Sequence, residues 1–391
     1  MSRHALIVGG GIGGLASALA LARQGMDVQL LERCSTFSEV GAGIQLGPNS
    51  VRILQAWGLG DALQACAATP ARLQVRSAAR GTLLGELELG ERARRLYGAP
   101  YLTIHRADLH AVLLQQAQAQ AGVRLALNQA FAGFTDGPAG VLVQAESGDT
   151  FDADFLVGAD GIWSAVRSQL LQDGPAQATG HLAYRALMRQ SDLPEGLRSQ
   201  QVTVWLGPRL HVVQYPVRGG DWLNVVALVE DPRPRQIDNW DQVAVTAELR
   251  QVLAGACPRL LDLVQAIEHW RLWSLCIRPP MRGPHEQACG RVALLGDAAH
   301  PMLPYLAQGA GMAIEDAQAL ATSLANPATE VPAGLAAYAQ ARWQRNARVQ
   351  ARALRNSTVF HARGPLRWGR DIAMKALGQR LLDIPWLYRG S

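Results

Sequence analysis

His4-Ala-Leu-Ile-Val8, followed by Gly9-Gly-Gly11-Ile-Gly13-Gly14, is the stretch whose reading decides the fold. The first five residues form an apolar run suited to a buried parallel strand. Gly9, Gly11 and Gly14 then supply the GxGxxG spacing, with Gly13 inside it. Leu15 to Gln24 reads as an Ala/Leu-rich helix ended by Gly25, and Asp27-Val-Gln-Leu-Leu31 as a second strand reaching Glu32. Gly9 permits the tight turn, Gly11 lets a pyrophosphate approach the backbone, and Gly14 lets the helix pack on the strand. The helix N-terminus offers free N–H groups and partial positive charge to the phosphates. Glu32 falls 18 residues after Gly14, where a carboxylate can accept from both ribose hydroxyls. Arg33, next to it, is counted with the same site. The unit predicts a Rossmann-like α/β fold, and by itself does not separate FAD from NAD.

The 391-residue chain carries 37 Lys+Arg against 32 Asp+Glu, with 49% hydrophobic and 18% charged residues. That balance excludes a disordered or fibrous chain. The length predicts two to three domains, or one large α/β unit with an insertion. Residues 340–391 hold 11 basic and 2 acidic residues, so the rest of the chain is net negative and the formal +5 is a C-terminal feature. No aromatic-basic module accompanies that excess, and nucleic acid is not expected as a partner. Cys34, Cys66, Cys257, Cys276 and Cys289 form no CxxC pair. Neither a zinc site nor a disulfide framework is therefore indicated, and a reducing cytoplasm fits. Ala5 to Ala22 has no charge over 18 residues, but five of these are glycines. It reads as strand, turn and helix rather than a signal or membrane anchor.

Two further motifs lie downstream: Phe155-Leu-Val-Gly158-Ala-Asp160-Gly161-Ile-Trp-Ser164-Ala-Val-Arg167, and Arg291-Val-Ala-Leu-Leu-Gly296-Asp297-Ala-Ala-His300-Pro301. They resemble the DG and GD motifs of the FAD-dependent aromatic hydroxylases, the p-hydroxybenzoate hydroxylase-like monooxygenases. With the N-terminal glycines they keep that family's order from residue 9 to residue 301, nearly the whole chain. Gly41-Ala-Gly-Ile-Gln45-Leu-Gly-Pro-Asn49, Thr103-Ile-His-Arg106-Ala-Asp-Leu-His110 and Ala307-Gln308-Gly309-Ala310-Gly311-Met-Ala-Ile-Glu315-Asp316-Ala317 are similar to one branch. That branch acts on salicylate, 3-hydroxybenzoate and 6-hydroxynicotinate. There are departures. The 6-hydroxynicotinate enzymes carry His where Gln45 stands, and Leu303-Pro304-Tyr305 lacks the amide of the 3-hydroxybenzoate enzymes' Leu-Gln-Tyr.

The resemblance implies a tightly, non-covalently bound FAD. Gln45, Arg106, Asp160, Asp297, Pro301, Gly309, Ala310 and Gly311 would hold it together with Gly9, Gly11, Gly13, Gly14, Glu32 and Arg33. Asp297 follows an apolar strand, where its carboxylate can hold a ribityl hydroxyl; it also reads as a capping aspartate. Arg106 would meet the phosphates or ribityl chain, or else be a surface arginine. Asp160 and Arg167 would brace the FAD and NAD(P)H regions, with Asp160 reading equally well as structural. Gln308 to Gly311 opens a helix, expected from about Met312 to Leu324, whose N–H groups can face the electron-rich flavin edge. Pro301 would shape the oxygen-activation site. No second GxGxxG is present, which favours NADH or NADPH bound transiently in a groove. With O2, a flavin hydroperoxide would then hydroxylate a small aromatic acid or phenol, and no metal is needed. A larger polycyclic or quinone-like substrate, or a non-catalytic FAD- or nucleotide-binding protein, are the alternatives.

Between about residues 181 and 275 the pattern changes to strand-like segments: His181–Met188, Val202–Leu206, Leu210–Val217 and Trp222–Val229. Gly-Pro, Arg-Gly-Gly-Asp and Asp-Pro-Arg-Pro turns punctuate them. The expected architecture has a discontinuous FAD-binding domain (1–70, 100–180 and 276–330) and a mostly antiparallel substrate-binding sheet layer (71–99 and 181–275). A helical C-terminal segment (331–391) completes it. Alternation puts His211, Val213 and Tyr215 on one face. In the resembled branch a His and a Tyr of this strand face the aromatic substrate. Histidine, with an ordinary pKa of about 6.5, can take a phenolic proton near neutral pH. His211 is thus expected as base or hydrogen-bond partner, and Tyr215 as an orienting hydroxyl. A helix from Pro332 past Arg355 places Arg342, Arg345, Arg348, Arg352 and Arg355 on one face. That face reads as solvated. Trp368 and Ile384–Tyr388 read as packing or homodimer contacts.

Overall fold

The computed structural model describes residues 2–37, 42–231 and 242–390. Gly41 and residues 232–234 of the Asp-Pro-Arg-Pro turn lie outside the described residues. His4–Val8 forms an inner strand of a six-stranded sheet, because its apolar side chains are covered on both faces. Ala5, Leu6 and Ile7 are fully buried, each large one stabilising by roughly 1.5–3 kcal/mol. The strand order is Ala288–Cys289, Val292–Leu294, Phe155–Gly158, His4–Val8, Asp27–Leu31, Val123–Ala126. All neighbours are parallel except the first pair, a short hairpin. Val8 pairs with Leu31 on one side and Gly158 on the other. The three motif strands therefore end at the same edge, carrying Gly9, Glu32 and Asp160 with them. Helix Ile12–Ala22 packs between helices Arg106–Gln118 and Gly309–Ser323.

The second large sheet has eight strands, in the order Gln242–Val243, Arg271–Ile277, Gln177–Arg189, Trp222–Glu230, Leu210–Val217, Val202–Gly207, Arg72–Ser77, Leu83–Glu88. Only Val202–Gly207 and Arg72–Ser77 run parallel. One face packs on helices Thr246–Val252 and Pro258–Gln265 through Val212, Val225, Leu249, Leu260 and Trp270. The other faces the six-stranded sheet. Two smaller sheets escape sequence reading. Phe131–Asp136, Val141–Ala145 and Thr150–Ala153 form an antiparallel meander, and Gly43–Leu46 pairs with Leu102–His105.

The C-terminal helix spans Val331–Phe360, and here the solvated-face reading of its arginines is corrected. Arg342 is fully buried and Arg345 nearly so, because both meet acids of the neighbouring helix. Arg342 pairs with Glu315 at 2.8 Å and with Asp316 at 2.7 Å, and Arg345 with Glu315 at 2.6 Å. Arg348 and Arg355 stay exposed, the former stacked 3.9 Å over Trp386. Leu387 and Tyr388 pack into the body, whereas Trp368 is 70% exposed. Among the described residues, no helix is long and apolar enough to cross a membrane.

Candidate active site

A cavity of about 660 Å³ joins the glycine turn to the near face of the eight-stranded sheet. At the turn, Gly9 adopts φ +108°, and a Cβ there would stand 2.5 Å from the Ala159 carbonyl oxygen. A Cβ on Gly14 would overlap the Gly9 carbonyl oxygen itself. Only glycine closes this turn, and the backbone is left bare where a diphosphate would approach. Glu32 accepts from the Gly10 N–H at 2.6 Å and the Cys34 N–H at 2.9 Å. His110 Nε2 meets the Gly10 carbonyl at 2.8 Å from helix Arg106–Gln118. Helix Gly309–Ser323 has no side-chain N-cap, and Gly309 and Ala310 face the cavity. Its free first-turn N–H groups and partial positive charge therefore point at the ligand space.

The cavity is lined by Gly9, Gly11, Gly13, Glu32, Arg33, Gln45, Arg106, Asp160, Tyr215, Asp297, Gly309 and Ala310. Asp160 is also a helix cap: it accepts from Ser164 Oγ at 2.5 Å and from the N–H groups of Ala165 and Val166. Burial raises its pKa, while these hydrogen bonds pull the other way. Arg167 is buried, donating to the carbonyls of Ala298 and Ala299 at 3.1 and 2.5 Å. It thus ties the Asp160 turn to the Asp297 turn. Asp297 is exposed to the cavity in the turn Gly296–Ala298. Gly14, Pro301, Gly311 and His211 are not among the lining residues. Gly311 is buried behind Ala310, and the Pro301 carbonyl accepts from Gln350 Nε2 at 3.2 Å.

The sheet supplies the other end, where Val226 stands between its cross-strand neighbours Arg185 and Val213. Tyr215 donates to the Gly43 carbonyl at 2.5 Å, and the Gly43 N–H donates to Asn224 Oδ1 at 2.6 Å. These bonds fix the strand that carries Gln45, whose Oε1 accepts from Tyr101 at 2.8 Å. Burial pushes the Tyr215 hydroxyl upward, with Arg185 and Gln45 opposing, so it remains a donor. Sequence reasoning missed Arg185. Its guanidinium stacks 4.7 Å from the Trp273 ring, and among the described residues no carboxylate pairs with it. Burial lowers its pKa to about 10, so it is still charged at neutral pH. Its signal in the sequence was a charge set between the apolar stretches Leu182–Tyr184 and Ala186–Met188.

His211 lies one residue row beyond the lining Leu228, its cross-strand partner. It is 1% exposed, and its Nδ1 is 2.9 Å from His361 Nε2. Burial, then the neighbouring His361 and His181, hold it neutral, well below the usual imidazole pKa.

The FAD binding domain family model matches residues 3–353. A 3-hydroxybenzoate 6-hydroxylase of Polaromonas naphthalenivorans is 36% identical over 386 residues, covering 98% of this chain and 95% of its own. A 6-hydroxynicotinate 3-monooxygenase of Pseudomonas fluorescens is 35% identical over 320 residues, 81% of each chain. Among solved structures, a salicylate hydroxylase substrate complex superposes with a TM-score of 0.83 at 30% identity, covering 99% of this chain and 95% of the other. The chain belongs to this FAD-binding family. It is an FAD-dependent aromatic-ring monooxygenase, using NAD(P)H and O2. The bare glycine turn and the uncapped N-termini of helices Ile12–Ala22 and Gly309–Ser323 of the monooxygenase fit the dinucleotide.

Proposed function

We propose that the substrate is a small aromatic acid bearing a ring hydroxyl. The observation that carries this is Arg185: a half-buried cation at a cavity end walled by Val213, Val226 and Leu228, with no carboxylate partner among the described residues. A partly desolvated charge without a partner is costly, and a substrate carboxylate relieves that cost while gaining orientation. The relatives named for hydroxybenzoate and hydroxynicotinate substrates agree with it.

Bound FAD supplies the redox chemistry, taking reducing equivalents from NAD(P)H and activating O2. The chain's own residues then bind, orient and shield. Val213, Val226, Leu228 and Met302 wall the ring in and keep water from it. Tyr215 and Gln45 set the ring's rotation by hydrogen bonding. The N-terminus of Gly309–Ser323 stabilises negative charge beside it. His211 is the proposed acceptor for the ring hydroxyl's proton. With Nδ1 engaged by His361, Nε2 is the nitrogen left for that role. Ring deprotonation raises electron density at the carbon to be hydroxylated.

The test is a screen of hydroxylated benzoates, pyridine carboxylates and matching phenols without the acid group. NADH and NADPH oxidation, O2 uptake and hydroxylated product are measured together. Coupled product from acids, and not from the phenols, is expected. Turnover of phenols equal to that of acids would remove the carboxylate from the reading.

A further inference from the structure

Beyond the cavity wall, at one end of the same sheet face, three side chains of metal-binding type converge. His181 and Glu230 are direct antiparallel partners, so their side chains leave the same face of the sheet. His361, the residue that ends helix Val331–Phe360, reaches the same point. One donor atom from each of the three lies within 4.8 Å of the other two. His361 Nδ1 is 3.3 Å from Glu230 Oε1. We propose that His181, Glu230 and His361 form a binding site for a divalent transition-metal ion of the zinc class, with a fourth position open.

Two imidazoles and one carboxylate are a donor set that zinc takes readily. The surroundings also supply the outer shell that such sites need. With Nδ1 of His361 on the ion, its Nε2–H donates to His211 Nδ1, a buried acceptor 2.9 Å away. The Tyr305 hydroxyl holds His181 Nδ1 at 2.5 Å. Arg209 Nε occupies Glu230 Oε2 at 3.2 Å and leaves Oε1 for the ion. Zn–N bonds of about 2.0–2.1 Å put neighbouring donors of a tetrahedral site roughly 3.3 Å apart. Closing to that distance takes a side-chain rotation, since the His181 and His361 rings now stack at 5.1 Å. The backbone positions are already in place.

The ion joins the strands of the sheet to the C-terminal helix, and it also sets a tautomer. Without metal, the His361 Nδ1–H donates to Glu230, so Nε2 accepts from the His211 Nδ1–H and leaves a lone pair on His211 Nε2. With metal on Nδ1 the order reverses, and the His211 proton moves to Nε2. The metal-bound form therefore lacks the acceptor proposed for the substrate proton. This consequence rests on the proposed role of His211; the metal site does not.

Untagged, FAD-loaded protein is dialysed to equilibrium against ZnCl2, and bound zinc and the thermal midpoint are measured. One zinc per chain above the Glu230→Gln value and a raised midpoint are expected. Glu230→Gln and His181→Ala, each verified to retain its FAD, should bind at least about tenfold more weakly. His269→Ala, at an exposed histidine elsewhere, keeps wild-type affinity. Zinc held equally by Glu230→Gln and His181→Ala would assign it to sites such as the exposed Cys34 and Cys289 and overturn the proposal, as would no binding at all. Zinc that binds at these residues without slowing hydroxylation would overturn the tautomer link alone.

Discussion

Arg342 donates from Nε to Asp316 Oδ1 at 2.7 Å, and neither side chain has measurable exposure. The same carboxylate meets His300 Nε2 at 2.5 Å through its other oxygen, while Arg342 Nη1 reaches Glu315 at 2.8 Å. The network lies in helix Gly309–Ser323 just behind the turn that faces the cavity. Asn49 links it forward, donating to Glu315 Oε1 at 2.7 Å and to Gln308 Oε1 at 3.0 Å. Removing one member leaves buried charge uncompensated. Arg342→Met should cost about 3–5 kcal/mol, read as a lower denaturation midpoint, with FAD released earlier in the transition than from wild type.

Acid should act on the same network. Burial raises the pKa of Asp316 and Glu315, but the charges and hydrogen bonds of His300, Arg342 and Arg345 outweigh it, and both are held below the ordinary carboxylate range. Their stabilising contribution is complete above the unfolded values of about 4 and is lost as pH falls towards the lower folded ones. Asp316→Asn should therefore be less stable than wild type at pH 7, yet change less between pH 5 and 3. Equal acid slopes in the two proteins would show that Asp316 carries no such linkage.

Gly14 allows no side chain because its Cβ would meet the Gly9 carbonyl oxygen. Gly14→Ala must shift the turn proposed to cradle the diphosphate. Its FAD affinity should drop by at least about tenfold, roughly 1.4 kcal/mol or more, measured by flavin fluorescence on reconstitution. Gly25→Ala offers a contrast: its Cβ has open space but φ +78° is strained, so stability falls while FAD binding holds.

Arg185→Met removes a cavity cation that has no carboxylate partner among the described residues, and keeps its bulk. Loss of a charged hydrogen bond of about 1.5–3 kcal/mol raises KM for an aromatic acid roughly 10- to 150-fold. FAD content should remain near wild type, and turnover of the corresponding phenol should change little. A KM shift of the same size for acid and phenol would mean that Arg185 shapes the cavity rather than recognises charge.

His211→Ala should lower hydroxylation by roughly 10²- to 10⁴-fold, the usual cost of losing a general base, while FAD binding changes far less. Substrate-stimulated NAD(P)H oxidation persists, with O2 consumed and little hydroxylated product formed. A fully coupled His211→Ala enzyme would remove the base from the mechanism. Tyr215→Phe tests orientation separately, because it loses the 2.5 Å bond to the Gly43 carbonyl and loosens the strand that carries Gln45.

The strand, glycine turn, helix and second strand were legible in the sequence because everything they require is local. An apolar strand, a turn that only glycine closes, a helix and a second strand ending at Glu32 are encoded within 32 residues, each by its immediate neighbours. Alternation along Leu210–Val217 likewise fixed which side Tyr215 faces, because strand geometry is periodic. Partnerships between distant residues were not legible. Five arginines at helical spacing look solvated until Glu315 and Asp316 are placed against two of them. Arg185 looks like one more charge until the surrounding strands are seen to offer it no acid. His361 meets Glu230 across 131 residues of chain, where no local motif could announce the contact. The sequence by itself determined the glycine turn proposed to receive FAD; only the tertiary structure decided which charges find a partner and which do not, since Coulomb and desolvation energies depend on distance in space, not along the chain.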